Sequence, residues 1–109
     1  MLQAILRGPS QERVLTFLEC REEGYASQIA RFYGVPLTPV QSQLRRLESD
    51  GVLSSRMVGN TRLYAFNPRF PFLPELRALL KKSLAFYPEQ EREALLMNRR
   101  RPRKAGKPT

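Results

Sequence analysis

Thr38, Gln41, Ser42, Gln43, Arg45 and Arg46 form a run of polar and cationic side chains around Pro39, interrupted by three large apolar residues, Val40, Leu44 and Leu47. Their chemistry is directional hydrogen bonding. A Gln amide pairs bidentately with adenine, an Arg guanidinium with guanine, and Ser or Thr hydroxyls reach base edges or phosphate oxygens. Downstream, Arg56, Asn60, Thr61 and Arg62 surround a Gly59-Asn60 pair and supply charge and donors suited to phosphates or a minor groove. Other chemistry is excluded by composition. With no His and Cys20 as the only thiol, a Cys/His zinc site, a Ser-His-Asp or Cys-His centre, and an intrachain disulfide cannot be built. No nucleophile–base pair or phosphate-cradling loop is visible, so no catalytic residue, metal or cofactor is expected, nor any enzymatic activity.

The polar run needs a scaffold, and the spacing of apolar residues supplies one. Val40, Leu44 and Leu47 fall at i, i+4 and i+7, the stripe of a helix over 38–50, with Thr38 as expected N-cap, Pro39 in the first helical position and Gly51 as the stop. Ahead of it, Ser10 is an expected cap for a first helix running to Arg21 or Glu22, with Val14, Leu15, Phe17 and Leu18 at helical spacing and Gly24 as its end. Tyr25 reads as a short strand residue. A second helix starts at Ser27, buries Ile29, Ala30 and Tyr33, and closes at Gly34. Two helices joined by a short glycine-containing turn, the second polar outside, form a helix-turn-helix pattern.

Val52 to Val58 and Thr61 to Phe66 then read as two strands joined at Gly59-Asn60, whose residues both tolerate positive φ. That hairpin is a wing, spanning 52–66. Pro71 and Pro74 introduce a fourth helix, Glu75 to about Phe86, with Leu76, Leu79, Leu80 and Leu84 on one side. Pro88 breaks it, and a fifth helix follows from Glu89 to about Asn98. The expected fold is thus mainly α with a small β-hairpin wing, an α+β winged helix-turn-helix of about five helices. It divides into a domain over 1–87, a terminal helix over 88–98 and a disordered basic tail over 99–109.

The net charge of +9 on 109 residues lies in two places. Residues 1–37 and 70–97 are each neutral; residues 38–69 carry +3 and residues 98–109 carry +6. The smaller share coincides with the polar helix and wing. The larger, Arg99 to Lys107, suits sequence-independent phosphate contacts, RNA binding or simple solubility. Apolar runs of only a few residues give no membrane span, Met1 to Leu6 is too short for a signal peptide, and the lack of disulfides fits a cytoplasmic setting. Cys20 reads as a small buried apolar residue, with a redox role as the less favoured alternative. Glu89, Glu91 and Glu93 read as acids at the positive end of a helix dipole rather than as metal ligands. Tyr25, Tyr33 and Tyr64 read as core residues.

The segments Tyr25-Ala26-Ser27-Gln28-Ile29-Ala30, Val35 to Val40, Gln43-Leu44-Arg45-Arg46-Leu47-Glu48, Asp50 to Leu53 and Gly59 to Tyr64 resemble the winged helix-turn-helix regulators of the ArsR-like group. Phe72 to Leu80 is similar to a segment behind the wing in a subgroup associated with nucleotidyltransferase domains, none of which is present here. The resemblance implies a DNA-binding transcription regulator that dimerises, here through the first helix and the 75–86 helix. The metal-sensing members' Cys and His ligands are missing, and Gln43 stands where many members have His. On this reading Gln41, Ser42 and Arg45 contact bases in double-stranded DNA; Thr38, Gln43 and Arg46 hold the backbone beside Pro39; and Arg56, Asn60, Thr61 and Arg62 place the wing. The alternative is a winged-helix protein-interaction module whose basic tail binds nucleic acid non-specifically.

Overall fold

The computed structural model describes Leu2 and residues 5–100. In chain order it contains α1 (Pro9–Arg21), β1 (Glu23–Tyr25), α2 (Ala26–Tyr33), α3 (Leu37–Ser49), β2 (Leu53–Val58), β3 (Thr61–Phe66), α4 (Leu73–Leu84) and α5 (Glu89–Arg100). The expected five helices and hairpin are therefore present. β1 adds a third strand, giving an antiparallel sheet of order β1-β3-β2 in which Tyr25 faces Leu63 and Val58 faces Thr61. The expected tail beyond residue 100 lies outside the described residues, and α5 runs two residues further than the Asn98 expected from sequence.

α1 is the centre of the molecule. Every residue from Val14 to Cys20 is buried, with α2, α3, α4, α5 and β1 packed around it. A helix buried on all sides cannot read as a simple amphipathic stripe, and its polar residues must find partners inside the chain. They do. Glu12 accepts the Leu2 amide at 2.9 Å and the Tyr87 hydroxyl, Thr16 Oγ1 lies 3.2 Å from that same hydroxyl, and Arg77 Nε donates to Glu19 at 2.7 Å. Because the Tyr87 proton goes to Glu12, Thr16 is the donor in their contact. Arg77 also reaches Glu22 at 3.1 Å and stacks 5.1 Å above Phe66, tying α4 to both α1 and the sheet. Arg21 lies over Phe17 and Phe32 and donates to the Ala94 and Leu95 carbonyls, tying α1 to α5. Cys20 is buried, as its apolar reading required.

Several helix ends differ from expectation. α1 is capped by Gly8 with Pro9 in its first turn, so Ser10 lies inside the helix. α1 ends at Glu22, the one described non-glycine residue with positive φ (72°), whose amide still reaches the Leu18 carbonyl at 2.8 Å. Gly24, the expected stop, instead lets β1 approach α1: a Cβ there would sit 2.8 Å from Phe17 Cε1. α2 begins at Ala26 rather than after Ser27, with the Tyr25 amide bound by Gln28 Oε1 at 3.2 Å. α3 is entered from Pro36, extended at φ −61° and ψ 151°, so Thr38 is not its cap. Pro39 then falls in the third helical position, still within the turn whose amides have no intrahelical acceptor. Gly51 closes α3 as expected, at φ 84° in a Schellman arrangement with Gly51 N–H to Glu48 O (3.0 Å) and Val52 N–H to Leu47 O (2.9 Å). In the wing turn only Gly59 takes positive φ (63°), the type II′ pattern, so Asn60 does not use its tolerance for that region. α4 starts at Leu73, two residues before the expected Glu75, with Pro74 in its first turn, and ends at Leu84, two residues short of the expected Phe86.

Two predictions follow from this core. Gly24→Ala places a methyl against the fully buried Phe17 ring and should cost about 1–3 kcal/mol, lowering the thermal midpoint by roughly 4–8 °C per kcal/mol; an unchanged midpoint would contradict the close approach. Burial acts to raise the Glu12 pKa, but its hydrogen bonds from Tyr87 and the Leu2 amide outweigh that and hold it below the ordinary 4.5. A depressed folded-state pKa contributes stability above the unfolded value and loses it as pH falls through the folded one. Glu12→Gln should therefore be less stable than wild type near neutrality, with the gap narrowing below about pH 4.5 in urea titrations; a gap independent of pH would contradict it.

Candidate nucleic-acid interface

α3 is 13 residues long, hence about 20 Å, and each residue turns about 100° around its axis. Val40, Leu44 and Leu47 are all buried against the core, as the apolar stripe required. The opposite ridge then carries Thr38, Ser42, Arg45 and Ser49, each exposed. Gln41 and Glu48 lie on the flank toward the wing; Pro39, Gln43 and Arg46 lie on the other flank. The contacts agree: Ser55 of β2 donates to Glu48 at 2.6 Å, whereas Gln43 accepts from Gln11 of α1 at 3.3 Å.

The sheet has two faces in this region. Leu53, Ser55 and Met57 share one with their partners Phe66, Tyr64 and Arg62, and this is the face turned to α3. Leu53, Tyr64 and Phe66 are buried there, and the row continues outward into the exposed wing. Arg62 donates to Ser55 Oγ at 3.0 Å, so a chain of hydrogen bonds runs Arg62–Ser55–Glu48 from the wing to α3. The Tyr64 phenol is pushed to a higher pKa, first by burial and then by the Glu48 charge, and stays neutral at ordinary pH.

Between α3, the start of α2 and the wing lies a groove of about 240 Å³, lined by Gln41 and Arg45, by Asn60, Thr61 and Arg62, and by Ala26, Ser27, Leu37 and Tyr64. Five of the sequence-derived candidates therefore meet in one place. Thr38 and Ser42 stand on the exposed ridge beside it. Arg56 does not: it shares the other sheet face with Glu23 of β1, 3.6 Å away. Pro39, Gln43 and Arg46 are on the flank away from the wing. Ser27, Leu37, Glu48 and Ser55 were missed. Glu48 had a legible signal, since it falls four residues after Leu44 and one after Leu47, on the edge of the apolar stripe. Ser55 and Ser27 needed the strand register and the α2–α3 crossing, which no local pattern supplies.

The groove is lined by two arginines and no carboxylate. Among the described residues no cluster of three or more His, Cys, Asp or Glu is placed to hold a metal ion, and no helix is long and apolar enough to cross a membrane. The ends of α1 and the half-buried Leu76, Leu79 and Leu84 of α4 reach the surface, but the middle of α1 is enclosed by the chain's own elements and cannot form the expected intersubunit surface.

A helix-turn-helix of α2 and α3 followed by the β2–β3 hairpin defines a winged helix-turn-helix fold. Solved structures share it, among them the following two. One is reduced HlyU from Vibrio cholerae N16961, at 16% identity, 79% coverage of this chain, 84% of that chain and a TM-score of 0.61. The other is the AntR antimony-specific transcriptional repressor, at 23% identity, 83% coverage of this chain, 77% of that chain and a TM-score of 0.63. No family model matches the chain, and no curated protein matches it.

Proposed function

We propose that the chain is a sequence-specific double-stranded DNA-binding transcription regulator, with α3 in the major groove and the wing on the backbone or minor groove. The observation that carries this reading is the shared groove: Gln41 and Arg45 of the helix and Asn60, Thr61 and Arg62 of the wing face one surface that has two cations and no acid. A helix about 20 Å long fits across a groove ~12 Å wide, and its exposed ridge bears the residue types that pair with base edges. AntR, a transcriptional repressor, uses the same fold, in keeping with this reading.

The groove geometry supports the following division of roles within this proposal. Arg45 and Gln41, with Ser42 and Thr38 on the ridge, are the base-reading set. Arg62 is the wing's phosphate ligand, held toward α3 through Ser55. Gln43, Arg46 and Pro39 support the backbone on the far flank, and Arg56 contributes least because it lies on the opposite sheet face beside Glu23. One module makes few base contacts, so two copies pair, placing their reading helices ~34 Å apart on a palindromic site. α4, with Leu76 and Leu79 half-buried, supplies that contact together with the ends of α1.

Gel shifts with fragments of the chain's own upstream DNA test the assignment. Arg45→Ala and Arg62→Ala should each weaken binding by at least tenfold, about 1.4 kcal/mol or more, at unchanged thermal midpoint. Arg56→Ala should weaken it less than either. Arg62→Ala should also reduce the salt slope by roughly one. Wild-type affinity in both Arg45→Ala and Arg62→Ala would overturn the reading. In sedimentation the wild-type chain should run as a dimer at micromolar concentration, and a monomer there would overturn the pairing.

A further inference from the structure

A second cavity, of about 300 Å³, opens where the start of α1, the end of α2 and the α4–α5 link meet. It shares no lining residue with the α3–wing groove. Its volume is at the lower end of the range of small-molecule sites. One wall is aromatic: Tyr33, Tyr87 and Phe86, the last 64% exposed. Phe86 thus leaves apolar surface at the edge of the cavity.

The charged groups are divided between one committed inside the protein and two without an ion-pair partner among the described residues. Glu12 is committed, accepting from Tyr87 and the Leu2 amide. Arg13 and Glu91 are different. The Arg13 guanidinium lies 6.0 Å from the centre of the Tyr33 ring, and neither it nor Glu91 has an ion-pair partner among the described residues. One cation and one anion therefore line the same cavity without pairing with each other. Tyr33 adds the one buried side-chain polar atom among the described residues that lacks a hydrogen-bond partner, its hydroxyl. Such an orphan costs stability unless a water or ligand satisfies it.

We propose that this cavity binds a small zwitterion of the α-amino-acid type, its ammonium group on Glu91, its carboxylate on Arg13 and its apolar side chain against Phe86 and Tyr87. Separated opposite charges select a molecule that carries both, because a ligand with only one leaves the other protein charge without a partner. Arg favours a carboxylate through its paired donors, and the aromatic wall favours an apolar or aromatic side chain. The site stands independently of the DNA-binding reading.

The test is calorimetric titration of the full chain with L-phenylalanine, L-leucine and L-methionine, alongside phenethylamine and 3-phenylpropanoate as single-charge analogues. At least one amino acid should bind saturably, at least tenfold more tightly than either analogue. Glu91→Gln and Arg13→Gln should each weaken it by at least tenfold at unchanged thermal midpoint, while Lys82→Gln on α4 leaves it unchanged. Absence of saturation by all three amino acids up to about 10 mM would overturn the proposal. So would an analogue binding as tightly as the amino acids, or wild-type affinity in both cavity variants. Should either variant fold poorly, the analogue series on the wild-type chain decides alone.

Discussion

The enclosure of α1 is the constraint from which the rest of the structure follows. Seven successive residues, Val14 to Cys20, are buried, so the middle of this helix has no outer face to offer. Everything else is arranged as its wall. α3 must turn Val40, Leu44 and Leu47 toward it, which leaves Thr38, Ser42 and Arg45 nowhere to go but outward. β1 must come close enough to touch Phe17, which only the missing side chain of Gly24 permits. α4 and the α4–α5 link must bring Arg77 and Tyr87 to Glu19 and Glu12, because carboxylates buried by that enclosure would otherwise be left without partners. The position of the polar ridge of α3 is in this sense decided from inside.

The same logic sorts the charges. The acids of α1 are used internally: Glu12 by Tyr87 and the Leu2 amide, Glu19 and Glu22 by Arg77. Burial alone would lower the Arg77 pKa, but its hydrogen bonds to the two carboxylates reverse that and raise it, so the guanidinium stays charged. Arg56 sits beside Glu23 on the sheet face away from α3. What remains uncompensated lies on the other face, Arg45 beside Arg62, where the Glu48–Ser55 link orients the wing arginine without an ion pair that would neutralise it. A charge excess of +3 over residues 38–69 becomes a local cationic groove because its lining takes in Arg45 and Arg62 but neither of that segment's acids, Glu48 and Asp50.

Much of this was legible in the sequence. Periodicity found α2 and α3, since each presents one buried and one exposed face and so leaves a repeat of 3.6 in the residue order. The hairpin was carried instead by its β-branched and aromatic residues and its Gly59-Asn60 turn, Leu63 and Tyr64 being buried on opposite faces of β3. Gly51 and Gly59 marked their turns. The failures have physical causes. Thr38 has the side chain of an N-cap, yet the chain enters α3 from Pro36, whose fixed φ already sets the extended approach. Gly24 looked like a helix stop, but the left-handed position fell to Glu22 and the glycine was needed for clearance. Ser10 yielded the cap to Gly8 because Pro9 occupies the first turn. In the interface, the outward residues of α3 could be read from the helix alone. The separation of Arg56 from Arg62 could not, because it depends on which sheet face meets α3. The pairing of Glu48 with Ser55, and of Glu12 with Tyr87 across the whole chain, likewise needed the tertiary arrangement.

The central claim is that α3 and the wing form one DNA-contacting face. Amide chemical-shift mapping of the isotope-labelled full chain, titrated with duplex DNA from its own upstream region, tests it most directly. The account predicts the largest shifts at residues 38–46 and 60–62, with Glu23 and Arg56 moving less and Glu89 to Leu96 little. Shifts centred on α4 or α5, with α3 and the wing unmoved, would contradict it.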